Sequence, residues 1–400
     1  MIPVDEARAR IFASLRPTGA ETVPLAEAWR RVTAAPALAR LTQPPQDVSA
    51  MDGYALRAAD GTPGAVLEVV GSAPAGHPWA GRLEPGQALR LFTGSVVPAG
   101  ADAILLQEDA TRVGERVTVG EPVTQGRHIR AAGQDFAAGD LLVDRGRRLT
   151  ARDIGLLAAG NHPWVTVHRR PVVAILATGD EIALPGEPIP AGGIVSSNSH
   201  ALAALVQACG GRAMVLPVAP DDRAAIAEAA DAAVGCDLLV TIGGASVGEH
   251  DLVQDALASR GMVLDFWKIA MRPGKPLMHG RLGGLPMLGL PGNPVSSLVT
   301  AILFVMPAVL YLSGLPAAPP PVTMARLGGP LKANDHRADH LRARLAMTEA
   351  GLVATAFGRQ DSALLRMLAE SDALILRPPH APALEAGAEV PVIRLESLGI

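Results

Sequence analysis

Apolar residues in the first 45 positions recur at helical spacing and predict amphipathic helices over Val4 to Leu15 and Leu25 to Val32. The Thr42-Gln43-Pro44-Pro45 run ends that segment, because consecutive prolines cannot continue a helix. From Gln46 to about Asp140 the period shortens. Ala65 to Val70, Ala103 to Gln107 and Arg116 to Val119 are β-rich runs separated by glycine and proline turns, the pattern of a small all-β insertion. A helical pattern returns at Leu149 to Gly160, with Thr150 placed to cap it and Gly160 to stop it.

After Arg170 strands alternate with helices. Val172 to Leu176 is a continuous apolar run, Asn198 to Ala208 reads as a helix stopped by Gly210, and Met214 to Val218 as a strand. Asp221 is placed to cap a helix ending near Gly235. Leu238 to Ile242, Met262 to Trp267 and Met287 to Leu290 follow as strands, with helices over Val253 to Ser259 and from Pro294. Repeated βα units predict a parallel sheet with right-handed crossovers, whose loops gather at the carboxyl ends of the strands, where ligands bind. The proline-rich stretch Pro316 to Pro321 introduces a last β-rich segment. The expected fold is α/β and multidomain. A helical part covers 1–45 and 141–170, a β-rich insertion 46–140, a doubly wound parallel-sheet domain 171–315, and a β-rich C-terminal domain 316–400.

Composition narrows the partners. With 3% aromatic residues and a formal charge of -4, the chain lacks both the stacking platforms and the basic stripe that nucleic acid or an anionic membrane requires. Ser296 to Leu312 is the most apolar stretch, but it contains Pro307 and follows a turn, so a buried helix is expected there. Met1 to Arg16 carries Asp5, Glu6, Arg8 and Arg10 among its apolar residues, unlike an export signal. Cys209 and Cys236 are too few for a disulfide framework. A cytoplasmic protein is expected.

Several motifs fall on the predicted ligand edge. Gly243-Gly244-Ala245-Ser246-Val247-Gly248 directly follows the Leu238 to Ile242 strand, and serves either as a cradle that turns backbone N–H groups toward a phosphate or as a tight turn. Gly244-x-Ser246-x-Gly248 also matches a serine nucleophile elbow; that reading requires His279 with Asp251 or Asp265 beside it. Thr178-Gly179-Asp180-Glu181, Asp221-Asp222, and Glu249 with Asp251 put acids on three successive loops. Each acid alone can be a helix cap, whereas convergence without basic partners calls for a hard cation such as Mg²⁺. Arg272-Pro273-Gly274-Lys275-Pro276 and Pro291-Gly292-Asn293-Pro294-Val295-Ser296 are rigid turns able to fix cations and N–H groups toward an oxyanion. His336 and His340 have i, i+4 spacing, but they lie among arginines and aspartates and read as a solvated face.

In order, SAMDGYA at 49–55, TG at 93–94, GQDF at 133–136, TGDE at 178–181, GGASVGEHD at 243–251, FWK at 266–268, RPGKP at 272–276, PGNPVS at 291–296 and QDS at 360–362 resemble the MoeA/gephyrin-type molybdenumtransferases. The resemblance runs from about Pro3 to the C-terminus. It implies an elongated homodimer that transfers molybdenum from molybdate to adenylylated molybdopterin and releases AMP, with Mg²⁺ as cofactor, and it leaves room for a molybdopterin adenylyltransferase as partner. Asp52, Thr93, Arg130 and Asp135 would then enter the site from the partner subunit. Glu181, Asp221, Gly243, Gly244, Ser246, Gly248, Asp251, Lys275, Pro291, Asn293 and Ser296 would line the pterin and metal side, with Lys275, Arg272 and Arg342 on the oxyanion, and Arg342 and Ser362 closing the cleft from the tail. Glu181, Asp221 and Asp251 are the metal candidates. The chain departs from the family pattern at Ser196-Ser197-Asn198, where an Asp-Thr-Asn triplet is common, and at Arg272, where lysine is common. A serine hydrolase and a gephyrin-like scaffold are the alternatives.

Overall fold

A computed structural model describes residues 1–243, 252–349 and 351–400. Helix α1 (Val4–Ser14) puts Ala7 and Ile11 on one buried face, and Leu15 continues that line. Those three side chains join the core of the large α/β sheet, so α1 packs on that domain. The second expected N-terminal helix does not form. Leu25–Glu27 is a single 3₁₀ turn, and the positive φ of Arg30 breaks the helical path. Leu25 and Ala28 instead pack on Val143, Leu149, Val165 and Val167. Their apolar spacing serves a β-ribbon, in which Ala20–Pro24 pairs antiparallel with Trp164–His168. The region once expected to be helical is therefore mixed. Its one long helix outside α1 is α2 (Ala151–Ala159), where Thr150 and Asp153 form a reciprocal capping box and Gly160 ends the helix.

The insertion is a six-stranded sheet in the order Ala103–Leu106, Gly53–Leu56, Gln87–Leu91, Val66–Ala73, Arg116–Val119, Ala110–Val113. Alternation along Gly53–Leu56 sends Tyr54 and Leu56 into one small core and Ala55 into another.

The α/β domain contains, in chain order, β1 (Val172–Ala177), α3 (Asn198–Ala208), β2 (Arg212–Val215), α4 (Arg223–Asp231), β3 (Leu238–Ile242), α5 (Leu252–Ser259), β4 (Met262–Trp267), β5 (Met278–Leu282), β6 (Leu285–Leu290), α6 (Pro294–Thr300) and α7 (Met306–Leu312). The sheet order is β2-β1-β3-β6-β5-β4. The first four strands are parallel, as expected, while β5 and β4 extend the sheet antiparallel. A hairpin through Gly283-Gly284 needs no crossover helix, so β5 turns back directly into β6. Val173, Ile175 and Ala177 of β1 face α3, α6 and α7, whereas Ala174 and Leu176 face α4 and α5, which makes the domain doubly wound. Strand β2 begins and ends earlier than the apolar run Met214 to Val218 suggested. Asp222, not Asp221, caps α4 by accepting from the N–H groups of Ala224 (3.0 Å) and Ala225 (2.9 Å).

Residues Pro294–Leu312 form one continuous helix, with a π-helical stretch at Ala301–Val305 ahead of Pro307. The wider turn accommodates the missing proline N–H. By length and mean hydropathy (2.2) this helix could span a membrane, but 83% of it is buried inside the protein.

The tail sheet runs Met271–Arg272, Ala338–Thr348, Gly351–Ala356, Thr323–Leu327, Glu389–Arg394, Ala373–Arg377, and the last strand pairs back onto Ala338–Thr348. Pairing back closes five strands into a barrel and removes their open edges. The first, two-residue strand belongs to the α/β chain and adds parallel to Ala338–Asp339, stitching the two domains together. His340, read as solvated, lies at 6% exposure beneath this seam. Burial pushes its pKa down to about 4 and leaves it neutral.

Candidate functional site

The loops after β1, β3 and β6 converge at the carboxyl edge of the sheet around a cleft of about 570 Å³. Glu181, Asp221, Gly243, Pro291 and Asn293 line it together. Local backbone chemistry explains the placement. Gly179 has φ 144, and a Cβ there would lie 2.5 Å from the Glu181 carboxylate, so glycine lets that acid fold back over the turn. The Asp221 N–H donates to Asp180 Oδ1 at 3.0 Å, which ties the first two acidic loops together. Burial, then the charges of Asp180 and Glu181, raise the pKa of Asp221. No Lys or Arg forms an ion pair with these three acids among the described residues.

Asn293 stands at the N-cap of α6 without a side-chain capping bond. Its Nδ2 donates instead to Ser362 Oγ at 3.2 Å, while the Val295 N–H donates to the Ser362 carbonyl at 3.0 Å. The tail therefore packs against the PGNPVS turn at the rim of the cleft in the same chain. Ser296, one turn into α6, is buried at 6% exposure. Asn198 Nδ2 donates to the Gly292 carbonyl at 2.7 Å and fixes the PGNPVS turn.

Arg342 belongs to the tail strand Ala338–Thr348 and is 1% exposed. Gln360 Oε1 accepts from its Nε (3.3 Å) and the Leu364 carbonyl from its Nη1 (3.4 Å), while the buried Nη2 has no partner among the described residues. Burial lowers its pKa. Lys275 is half-buried, and its carbonyl accepts from Ile269 N at 2.9 Å, closing a tight loop whose Pro276 reaches the cleft. Arg272 does not fit the oxyanion-ligand role expected of it. Its Nε and Nη2 bind Asp339 Oδ1 and Oδ2 at 2.8 and 2.5 Å, and Nη1 lies 3.5 Å from Asp335. Two carboxylates already satisfy this guanidinium.

The insertion residues form a separate group. Asp52 Oδ1 accepts from both the N–H and the hydroxyl of Thr93, each at 2.8 Å. Those bonds, the backbone one first, hold the Asp52 carboxyl below its ordinary pKa, with Arg90 adding its charge. Gly53 permits the geometry, since a Cβ there would lie 2.0 Å from the Leu105 carbonyl oxygen. Arg130 lies on the adjoining strand Ile129–Arg130, paired with Val48–Ser49, and is exposed. Asp135 is also exposed, its N–H bound to Gln43 O at 3.0 Å. Among the described residues, no side-chain hydrogen bond or ion pair joins Asp52, Thr93, Arg130 or Asp135 to the cleft.

Gly244, Ser246, Gly248, Glu249 and Asp251 lie outside the described residues. Among the residues described, no group of three His, Cys, Asp or Glu side chains could hold a metal. Glu181 and Asp221 can supply two carboxylates and leave the remaining ligand positions to water and substrate phosphates, the pattern Mg²⁺ adopts. The hydrolase alternative fares poorly. Asp265 does reach His279 (Nδ1 to Oδ2, 3.1 Å), but Nε2 faces Ser14 Oγ at 3.0 Å and the ring is 2% exposed, so both nitrogens serve to pin α1 to the β4–β5 hairpin. A second cleft of about 610 Å³ opens at the opposite edge of the sheet, where Arg260 is paired with Asp231 and Arg281 with backbone carbonyls. Its two acids, Asp231 and Asp237, are ion-paired with Arg260 and Arg169. Sequence reasoning passed over Arg90, which acts through Asp52 and carries no motif of its own; Asp180 and Gln360 fall inside quoted motifs, but their contacts to Asp221 and Arg342 are set by the fold.

The raised pKa of Asp221 has a measurable sign. A carboxyl that binds its proton more tightly when folded lowers stability as pH rises through the carboxylate range, roughly pH 4 and above. Asp221→Asn is therefore expected to raise the thermal midpoint at pH 7, with the gain shrinking as pH falls below that range. An equal gain at pH 3 and pH 7 contradicts this origin.

A doubly wound domain with an acid-lined, glycine-turned cleft at the carboxyl ends of its parallel strands has the architecture of α/β proteins that bind their ligand at that edge. Residues 2–160, 174–311 and 324–395 match, in order, the families described as MoeA N-terminal region (domain I and II), probable molybdopterin binding domain, and MoeA C-terminal region (domain IV). A molybdopterin molybdenumtransferase of Nostoc sp. is 36% identical across 94% of this chain and 88% of its own. Molybdopterin molybdenumtransferase 2 of Mycobacterium tuberculosis is 37% identical across 98% and 99%. A solved molybdopterin biosynthesis MoeA protein from Pyrococcus horikoshii superimposes with a TM-score of 0.86 at 30% identity, covering 98% of this chain and 99% of that one. The chain belongs to the MoeA family of molybdopterin molybdenumtransferases, transferases of molybdenum cofactor biosynthesis.

Proposed function

We propose that the chain takes adenylylated molybdopterin and molybdate, passes molybdenum to the dithiolene sulfurs, and releases AMP. The observation that carries this reading is the meeting, in one cleft, of two acids without an ion-pair partner among the described residues (Glu181, Asp221) and turns at Gly243 and Pro291, with Ser362 of the tail bonded to Asn293 at the rim. The Gly243 N–H is spent on the Leu290 carbonyl at 3.2 Å, so the N–H groups of Gly292 and Asn293 would face the pterin phosphate side. Lys275 and Arg342 hold the molybdate oxyanion, and the buried Nη2 of Arg342, without a partner among the described residues, suits that role. Mg²⁺ held through Glu181 and Asp221, with Asp251 as a further candidate, supplies charge to polarise the pyrophosphate when bound. Asp180 keeps Asp221 turned to the cleft, and Asn293 holds the tail in place.

In the same reading the protein is a cytoplasmic homodimer in which Asp52, Thr93, Arg130 and Asp135 of the partner subunit complete the cleft. A molybdopterin adenylyltransferase hands over the adenylylated substrate. The test is a single turnover of the purified protein with adenylylated molybdopterin and Mg²⁺, with and without molybdate. Molybdate-dependent AMP release together with active cofactor supports the reading; AMP release indifferent to molybdate, or none at all, defeats it.

A further inference from the structure

Arg272 stands where oxyanion chemistry was expected, yet it is committed elsewhere. We infer that Arg272 is a positioning residue: its fork-to-fork pair with Asp339 locks the tail strand that carries Arg342 against the loop that carries Lys275. Three observations carry this. The pair is bidentate, at 2.8 and 2.5 Å, and Asp339 is nearly buried, with its side chain 8% exposed. The backbone repeats the connection, because Met271–Arg272 pairs in parallel with Ala338–Asp339 and the Ala338 N–H donates to the Ala270 carbonyl at 2.9 Å. His340, the next residue, is buried beneath the same seam.

The consequence is geometric. Lys275 lies three residues beyond Arg272 in a loop tightened by Gly274 (φ 105), where a Cβ would come within 2.4 Å of Thr300. Arg342 lies three residues beyond Asp339 on the paired strand. One ion pair therefore sets the spacing of two cations contributed by two domains. Arg272 makes a poor oxyanion ligand because an incoming anion would have to displace a buried carboxylate and then sit beside it. Lysine cannot replace Arg272 here, since a point charge has no planar fork for both Asp339 oxygens.

The inference rests on the transferase reading for its activity arm alone. Full-length Arg272→Lys, Asp339→Asn and the paired Arg272→Gln/Asp339→Asn variants are compared with the parent by molybdate calorimetry, by AMP release, and by amide hydrogen exchange over 338–342. A positioning role predicts that Arg272→Lys and Asp339→Asn each weaken molybdate binding about tenfold, with KM for adenylylated molybdopterin unchanged. The paired variant should recover most of that loss, since two facing amides restore a neutral tie and leave no unpaired buried charge. Exchange over 338–342 should quicken in Arg272→Lys and return toward the parent rate in the pair. A ligand role predicts the reverse: Asp339→Asn binds molybdate more tightly, and the paired variant loses it. That result, or unchanged exchange in Arg272→Lys, overturns the inference. A parent protein that binds no molybdate defeats the functional reading, while the exchange arm still decides whether the clamp exists.

Discussion

Replacing Arg342 with methionine is expected to leave the protein at least as stable as the parent and to cut molybdate-dependent turnover by about 10²-fold or more. The two effects diverge because of how this guanidinium is held. It is among the largest fully buried side chains, its contacts to Gln360 and Leu364 are long and neutral, and Nη2 has no partner among the described residues. A buried cation so poorly matched destabilises the resting fold, and burial accordingly lowers its pKa. An apolar chain of similar length fills the same volume without that desolvation penalty. Oxyanion binding, by contrast, would supply the missing acceptor, and methionine offers nothing in return. Thermal unfolding and single-turnover AMP release on the same preparation measure both sides. A fall of several kcal/mol in stability would make Arg342 a structural pin of the barrel, and near-normal turnover would remove it from the oxyanion site.

Much of this architecture is legible in the sequence where local rules and tertiary packing agree. Asn198–Ala208, Leu238–Ile242 and Met262–Trp267 end where glycine or a change of period says they should. Thr150 and Gly160 bound α2 as their chemistry dictates. The misses share a cause. Leu25 to Val32 has helical apolar spacing, but a ribbon packed on α2 buries the same positions, and a left-handed Arg30 decides between them. Met278–Leu282 shows no alternation, because it lies inside a sheet covered on both faces and turns back antiparallel.

The site divides in the same way. Acids and glycines that follow parallel strands can be placed on one edge by topology alone, and Glu181, Asp221, Gly243, Pro291 and Asn293 do meet there. Which of two adjacent aspartates caps α4 depends on a single φ, ψ pair, and that choice left Asp221 free for the cleft. The partner of Arg272 lies 67 residues away, and no spacing rule reaches so far. His340 was misread for the same reason: its burial is produced by the seam between two domains.

Mixing an Asp52→Ala chain with an Asp221→Asn chain is expected to restore turnover that neither chain has alone. Asp52 and Thr93 form an ordered acceptor pair on the insertion, held by two 2.8 Å bonds and supported by Arg90, whose guanidinium also stacks over Tyr54 and Phe92. Neither Asp52 nor Thr93 belongs to the insertion's two cores. Within one chain the pair has no contact with Asp221 or Glu181 among the described residues. In the proposed two-fold dimer, Asp52 of the partner subunit would reach the cleft. Each heterodimer then holds one intact site and one doubly damaged site, so random assortment of equal amounts gives about a quarter of parental activity. The measurement is AMP release after co-refolding, with heterodimer content read by native mass spectrometry. If heterodimers form and no activity returns, Asp52 and Asp221 serve the same subunit's site and the shared-cleft arrangement is wrong. Activity rising in proportion to heterodimer content assigns the two acids to opposite sides of one composite site.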